Sequence, residues 1–171
     1  MFAFNLIVTY SFGFLGARRE AYKVLTLLGD ETPVIRRTNV KVIIGVLTSL
    51  DPHKFSTNLI QIATEKPNIF YFTQRWIPID LWTFSDIPSM KEGVKKVAIL
   101  NPLDSWMMVV EKRKYKDKHS DEIVKELADV IIGKVDLKNP ERILRIDILG
   151  PFAGISLLRP DEIFSALRLF S

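Results

Sequence analysis

The sequence predicts an α/β protein of the α+β kind, built as two units that divide between Pro78 and Asp86. Two observations predict it. Apolar runs with strand and helix periods alternate along the chain, each bounded by proline or glycine. The 171 residues, 47% hydrophobic and 11% aromatic, suffice for one domain or two small ones and are far too apolar for a disordered chain.

The first half reads as follows. Asn5 to Tyr10 is a short apolar, β-branched run ended by Gly13 and Gly16, hence a strand. Ala21, Val24, Leu25 and Leu28 follow helical spacing, so a helix runs from Ala17 to Leu28 with Gly29 at its C-terminal stop. Thr32 to Thr38 is a polar strand carrying Arg36 and Arg37, and Val40 to Leu47 is an almost continuous apolar one. Asp51-Pro52 opens a helix with Phe55, Leu59, Ile62 and Ala63 on one face. Pro67-Asn68 stops it, and Ile69 to Phe72 reads as a strand. The order βαββαβ is the ferredoxin-like split arrangement. Its first and third strands are central, and here those two are the apolar ones. Central strands this apolar imply cover on both sheet faces, and the C-terminal half is the expected cover.

In the second half, Asp86 to Leu100 reads as a helix with Met90, Val94, Val97 and Ala98 spaced for burial. Ser105 to Lys112 is a strand. Ser120 caps a further helix with Asp121 and Glu122 in its first turn and Ile123, Leu127, Val130 and Ile131 as its apolar face. Ile143 to Leu149 and Ala153 to Leu158 are strands joined through Gly150-Pro151. Asp161 starts a final helix with Ile163, Leu167 and Phe170 inward.

Composition excludes several kinds of chemistry. With no cysteine, the chain has no disulfide, thiolate metal site or cysteine nucleophile. The histidines His53 and His119 are too few for a histidine metal centre, so no metal is expected. Residues 1–16 are apolar but interrupted by Asn5, Thr9 and Ser11, with no basic start, so neither a signal peptide nor a membrane span is expected. The expectation is a soluble, cytoplasmic protein. Its net charge of +4 is concentrated. Lys112-Arg113-Lys114-Tyr115-Lys116-Asp117-Lys118 holds five bases and one acid, leaving the other 164 residues neutral overall. That pattern fits a local polyanion contact or a solvated strand end.

The stretch from Lys112 to His119, with Glu122-Ile-Val-Lys-Glu-Leu-Ala128, Val135-Asp-Leu-Lys-Asn-Pro-Glu141 and Ile146-Asp-Ile-Leu-Gly-Pro-Phe-Ala-Gly-Ile-Ser156, closely resembles the THUMP domain. This RNA-binding module is named for thiouridine synthases, RNA methylases and pseudouridine synthases. Upstream, Gln74-Arg75-Trp76-Ile77-Pro78-Ile79 resembles the segment preceding THUMP in the branch of stand-alone tRNA-binding adaptors for cytidine acetylation. The resemblance covers about the whole chain. It implies a ferredoxin-like unit over residues 1–78 packed against a THUMP-like α/β unit over 79–171. It further implies recognition of a tRNA acceptor end with its single-stranded tail and presentation of that tRNA to an acetyltransferase. No cofactor and no membrane or DNA partner is expected.

The RNA-binding candidates are Arg75, Lys112, Arg113, Lys114, Tyr115, Lys116, Lys118 and His119. The bases suit phosphates, while Tyr115 and His119 offer rings for stacking on unpaired bases. Arg75 fits either a buried ion pair or a phosphate. Whether the basic strand presents Lys112 and Lys114 or Arg113 and Tyr115 depends on how far its pairing extends. Arg145 and Asp147 share a strand face and pair with solvent or each other, and Asp136 and Asn139 suit turn contacts around Pro140. Gly13 to Gly16, before Arg18-Arg19, reads as a structural turn or as amides presented to phosphate. Catalytic motifs are missing. There is no G-x-x-x-x-G-K-[ST] loop and no G-x-G-x-x-G, and the acidic pairs lie at helix starts where capping explains them. The expected function is therefore a non-catalytic adaptor; the alternatives are a tRNA-modification enzyme with an unrecognised site and a protein-interaction module.

Overall fold

The computed structural model describes residues 2–169. In chain order its elements are β1 (Leu6–Tyr10), α1 (Phe14–Leu28), β2 (Val34–Arg37), β3 (Ile43–Leu47), α2 (Phe55–Glu65), β4 (Thr73–Pro78), β5 (Leu81–Phe84), α3 (Ile87–Val97), β6 (Ser105–Arg113), α4 (Ser120–Ala128), β7 (Lys134–Val135), β8 (Arg142–Leu149), β9 (Phe152–Leu158) and β10 (Phe164–Ser165). They form an α+β structure of two compact units: Phe4–Pro78 with the segment from Asp161 onward, and Ile79–Pro160 with the residues before Phe4. Among the described residues, no helix is long and apolar enough to cross a membrane.

The first unit carries the βαββαβ order on an antiparallel sheet, β10-β4-β1-β3-β2, with β1 and β3 in the interior as expected. Strand β4, an edge in the plain ferredoxin-like order, is interior as well because β10 pairs with it. Every residue of β1 is buried, as an interior strand requires. Val8 and Tyr10, with Trp76 and Ile44, meet Ala21, Val24 and Leu25 of α1 and Leu59 of α2 in one core. The second unit is a mixed sheet, β5-β9-β8-β6-β7, in which β6 runs parallel to both β7 and β8. Alternate residues Leu144, Ile146 and Ile148 of β8 share a core with Met90 and Val94 of α3 and Ile123 and Leu127 of α4. Helix α3 lies close to the sheet because it carries Gly93: a Cβ there would stand 2.5 Å from Ile155 Cδ1 and 2.6 Å from Thr83 Cγ2.

The structure departs from the sequence expectations at identifiable places. Residues 69–72 form no strand, since the amides of Tyr71, Phe72 and Thr73 turn onto the Glu20 carboxylate at 2.9, 2.8 and 2.7 Å. An amide directed at a side chain is unavailable to a ladder, and β4 starts only at Thr73. Strand β3 begins at Ile43, three residues late, because Thr38 Oγ1 accepts from the Val40 amide at 3.1 Å and donates its one proton to the Ile43 carbonyl at 2.9 Å, which holds a turn. Helix α4 stops at Ala128, leaving Val130 and Ile131 to pack from a turn, and its N-cap is His119 in place of Ser120. The expected final helix is replaced by β10, which pairs with β4, and a 3-10 turn at Ala166–Leu169. Phe170, the last expected inward position, lies outside the described residues. Strand β5, unexpected from the sequence, pairs with β9 through Leu81↔Ile155 to Phe84↔Phe152.

Candidate nucleic-acid interface

The basic segment leaves the sheet at the end of β6. Pairing with β8 runs to Arg113↔Leu149, and the Arg113 carbonyl accepts from Gly150 N at 2.8 Å. The next residue, Lys114, takes φ 55°. That left-handed turn ends the alternation of the strand, so the segment that follows leaves it as a loop. Residues 114–119 then lead to α4, whose N-cap is His119.

The five bases of this segment divide by their partners. Lys112 is half-buried and donates to the Lys118 carbonyl at 2.8 Å, drawing the two ends of the loop together. Arg113 turns to Asp147, with Nη1 at 3.6 Å from Oδ1. Lys118 pairs with Glu126 at 3.1 Å, and that hydrogen bond, with the carboxylate's charge, raises its pKa above the ordinary lysine value. Lys114 and Lys116 are exposed, and Lys116 makes no ion pair among the described residues. Tyr115 is half-buried against the core under α3 and α4. Burial and the charge of Asp117 raise the pKa of its phenol, keeping it protonated and able to donate. His119 is exposed and its side chain makes no capping bond.

Lys114, Tyr115, Lys116 and Asp117 form one wall of a cleft of about 410 Å³ whose other side is Phe84, Ser85, Asp86, Gly150 and Pro151. Ser85 Oγ donates to the Gly150 carbonyl at 2.8 Å, fixing the far wall. Asp86 is occupied as the N-cap of α3, accepting from Ser89 N at 2.9 Å. That bond and the Ser89 hydroxyl hold its carboxyl below the ordinary range. The cleft thus offers two exposed lysines, a phenol and the exposed ring of Phe84, alongside the carboxylates of Asp86, which is engaged as a helix cap, and Asp117.

The remaining candidate, Arg75, belongs to the first unit. It is exposed on β4, opposite Thr9 of β1 and Ser165 of β10, which removes the buried-ion-pair reading. Asp136 holds the turn before Pro140, accepting from the amides of Lys138 and Asn139 at 2.9 and 3.0 Å. Arg145 and Asp147 do pair with each other, and both are buried. The Phe84 wall was missed in the sequence because no periodic signal marks so short a strand as β5.

No family model and no curated protein matches the sequence. Among solved structures, the chain is similar to PH1313 from Pyrococcus horikoshii Ot3, with TM-score 0.60 and 14% identity over 90% of this chain and 54% of that one. It is similar to TrmN from Thermus thermophilus, with TM-score 0.53 and 12% identity over 89% of this chain and 44% of that one. A third similar structure is a 4-thiouridine synthetase in complex with RNA and bound ATP, with TM-score 0.52 and 16% identity over 94% of this chain and 41% of that one. This chain therefore spans about half the length of these proteins or less. At such identities the likeness defines the fold, which is THUMP-like and of the α+β class.

Proposed function

We propose that the chain is a non-catalytic, cytoplasmic tRNA-binding adaptor that engages the acceptor end of tRNA and presents it to a separate modifying enzyme, a cytidine acetyltransferase. The observation that carries the RNA-binding part is the cleft on which Lys114 and Lys116 stand exposed beside Tyr115 and Phe84. Cations at a groove with aromatic walls suit a phosphate backbone with unpaired bases. A structure of similar fold was solved with RNA, which supports the same reading. The adaptor part rests on the resemblance to that branch and on the missing nucleotide-binding motifs.

Each phosphate neutralised on a single strand contributes about −0.7 to the slope of log K against log salt. Lys114 and Lys116 are the exposed bases of the segment while Lys112, Arg113 and Lys118 are half-buried, so the salt-sensitive contacts are assigned to Lys114 and Lys116. Replacing both by alanine is expected to flatten the slope by about 1.4 in an anisotropy titration against tRNA, similarly for different tRNAs, since phosphate contacts read no sequence. An unchanged slope would make the loop a solvated strand end. Incubation of the pure chain with tRNA and candidate donors should yield no modified nucleoside. Any product would overturn the adaptor reading in favour of an enzyme, and failure to bind tRNA at low salt would favour a protein-interaction module.

A further inference from the structure

We propose that the exposed face of α1 in the first unit is a second RNA contact, one that stacks on and holds an unpaired stretch of the strand. This inference rests on the RNA-binding reading above but uses none of its residues. Phe12 is 53% exposed and Tyr71 is 68% exposed. Their rings meet edge to face at 5.5 Å, and both contact Phe72, at 5.2 and 4.9 Å. Large apolar rings left in water as a cluster mark an interaction surface more than isolated ones do.

The cluster is held in place by two devices. Phe72 lies over Gly16, where a Cβ would stand 2.4 Å from the ring, so only glycine lets the helix and the ring approach this closely. The amides of Tyr71 and Phe72 are fixed by Glu20, one turn further along the helix. The rings are therefore presented by a built frame.

The charges around them are of one sign. Arg18, Arg19 and Lys23 are exposed on α1 and make no ion pair among the described residues. Arg19 and Lys23 stand three positions beyond Gly16 and Glu20, the residues that touch the 71–73 segment, and so lie on the adjoining strip of helix surface. The helix's one acid, Glu20, is buried with both oxygens taken by amides and the Thr73 hydroxyl. Arg37 adds a further cation where the helix starts, stacked 3.8 Å above the Phe14 ring.

Exposed rings among unpaired cations match single-stranded nucleic acid, since phosphates meet the cations while base faces meet the rings. A duplex keeps its base faces stacked and cannot use the aromatics. A purely acidic peptide such as polyglutamate would use the cations and leave the rings unfilled.

The test uses the full chain, an unstructured octaribonucleotide and tRNA, measured by anisotropy across a salt series. Tyr71→Ala is expected to weaken binding of the octamer about 10-fold with an unchanged salt slope, and Tyr71→Phe should bind like the unaltered chain. Arg19→Ala with Lys23→Ala should flatten the slope by about 1.4. If Tyr71→Ala binds both RNAs normally while the Lys114 and Lys116 substitutions weaken tRNA binding, this inference fails and the tRNA reading stands. If the unaltered chain binds no tRNA, the tRNA reading fails first. A short RNA duplex or a polyglutamate peptide bound as tightly as the octamer would overturn the single-strand assignment.

Discussion

Replacing Asp147 by alanine is expected to destabilise the protein by about 4 kcal/mol, because it removes one partner of a buried ion pair and leaves the other charged. Asp147 is 0% exposed. Its carboxylate accepts from Arg145 Nε at 2.7 Å and Arg145 Nη2 at 3.0 Å, a bidentate pair within one strand. Arg113 Nη1 stands a further 3.6 Å away. Burial works against the charged form of Arg145, but the Asp147 charge and its hydrogen bonds outweigh that and raise the pKa. A guanidinium does not shed its proton to escape the loss, so the substituted protein keeps a buried cation without its anion. Replacing Arg145 and Asp147 together by methionine and leucine should cost much less than the Asp147→Ala change, since well-packed apolar pairs often match buried ion pairs. Urea unfolding of the single and double variants checks both statements. An Asp147→Ala loss under about 1 kcal/mol would class the pair with exposed ones. The effect should reach the candidate interface, because Arg113 is where β6 ends and the lysine loop begins.

Glu20→Ala should cost about 3 kcal/mol, the order expected when buried donors lose their acceptor. One carboxylate takes the amides of Tyr71, Phe72 and Thr73 and, at 2.6 Å, the Thr73 hydroxyl. That hydroxyl in turn accepts from Trp76 Nε1 at 3.2 Å, so the loss extends into the core. Glu20→Gln should fall between the two, because its carbonyl oxygen serves one pair of donors while its amide nitrogen faces the other. Hydrogen exchange at residues 71–73 should accelerate most in Glu20→Ala, ahead of global unfolding. Exchange there at the unaltered rate would show that water replaces the carboxylate without loss. With the 71–73 segment released, the Tyr71 ring is no longer fixed, so this variant should also bind the octamer more weakly.

Much of the fold was legible because it depends on local pattern. The helix spacing of Ala21, Val24 and Leu25 and of Met90 and Val94 puts those side chains on one face whatever lies opposite, and all five are buried. The apolar runs of β1 and β3 marked two of the three interior strands before any pairing was known; the third, β4, is interior because β10 pairs with it. Residues 69–72 were misread for the opposite reason. Ile-Phe-Tyr-Phe has strand composition, yet the partner that takes its amides is Glu20, 51 residues earlier for Tyr71. A side chain that far away leaves no signal in the segment it controls. The final segment failed similarly: β10 has two residues and forms only because β4 offers an edge.

The sequence by itself determined the order of the elements from β1 to α2, the α+β class, the THUMP resemblance and the presence of excess positive charge in residues 112–118. Only the tertiary structure decided which of those charges face solvent. Lys112, Arg113 and Lys118 look equivalent to Lys114 and Lys116 in a composition count, but their partners are a carbonyl six residues on, Asp147 on a neighbouring strand and Glu126 on the next helix. The structure also brought Tyr71 onto Phe12, 59 residues earlier in the sequence, at the start of the helix that carries the cations. Periodicity follows from backbone geometry and is written in consecutive residues. Charge pairing and ring contacts are set by distances through space, so they exist only once the chain has brought distant segments together.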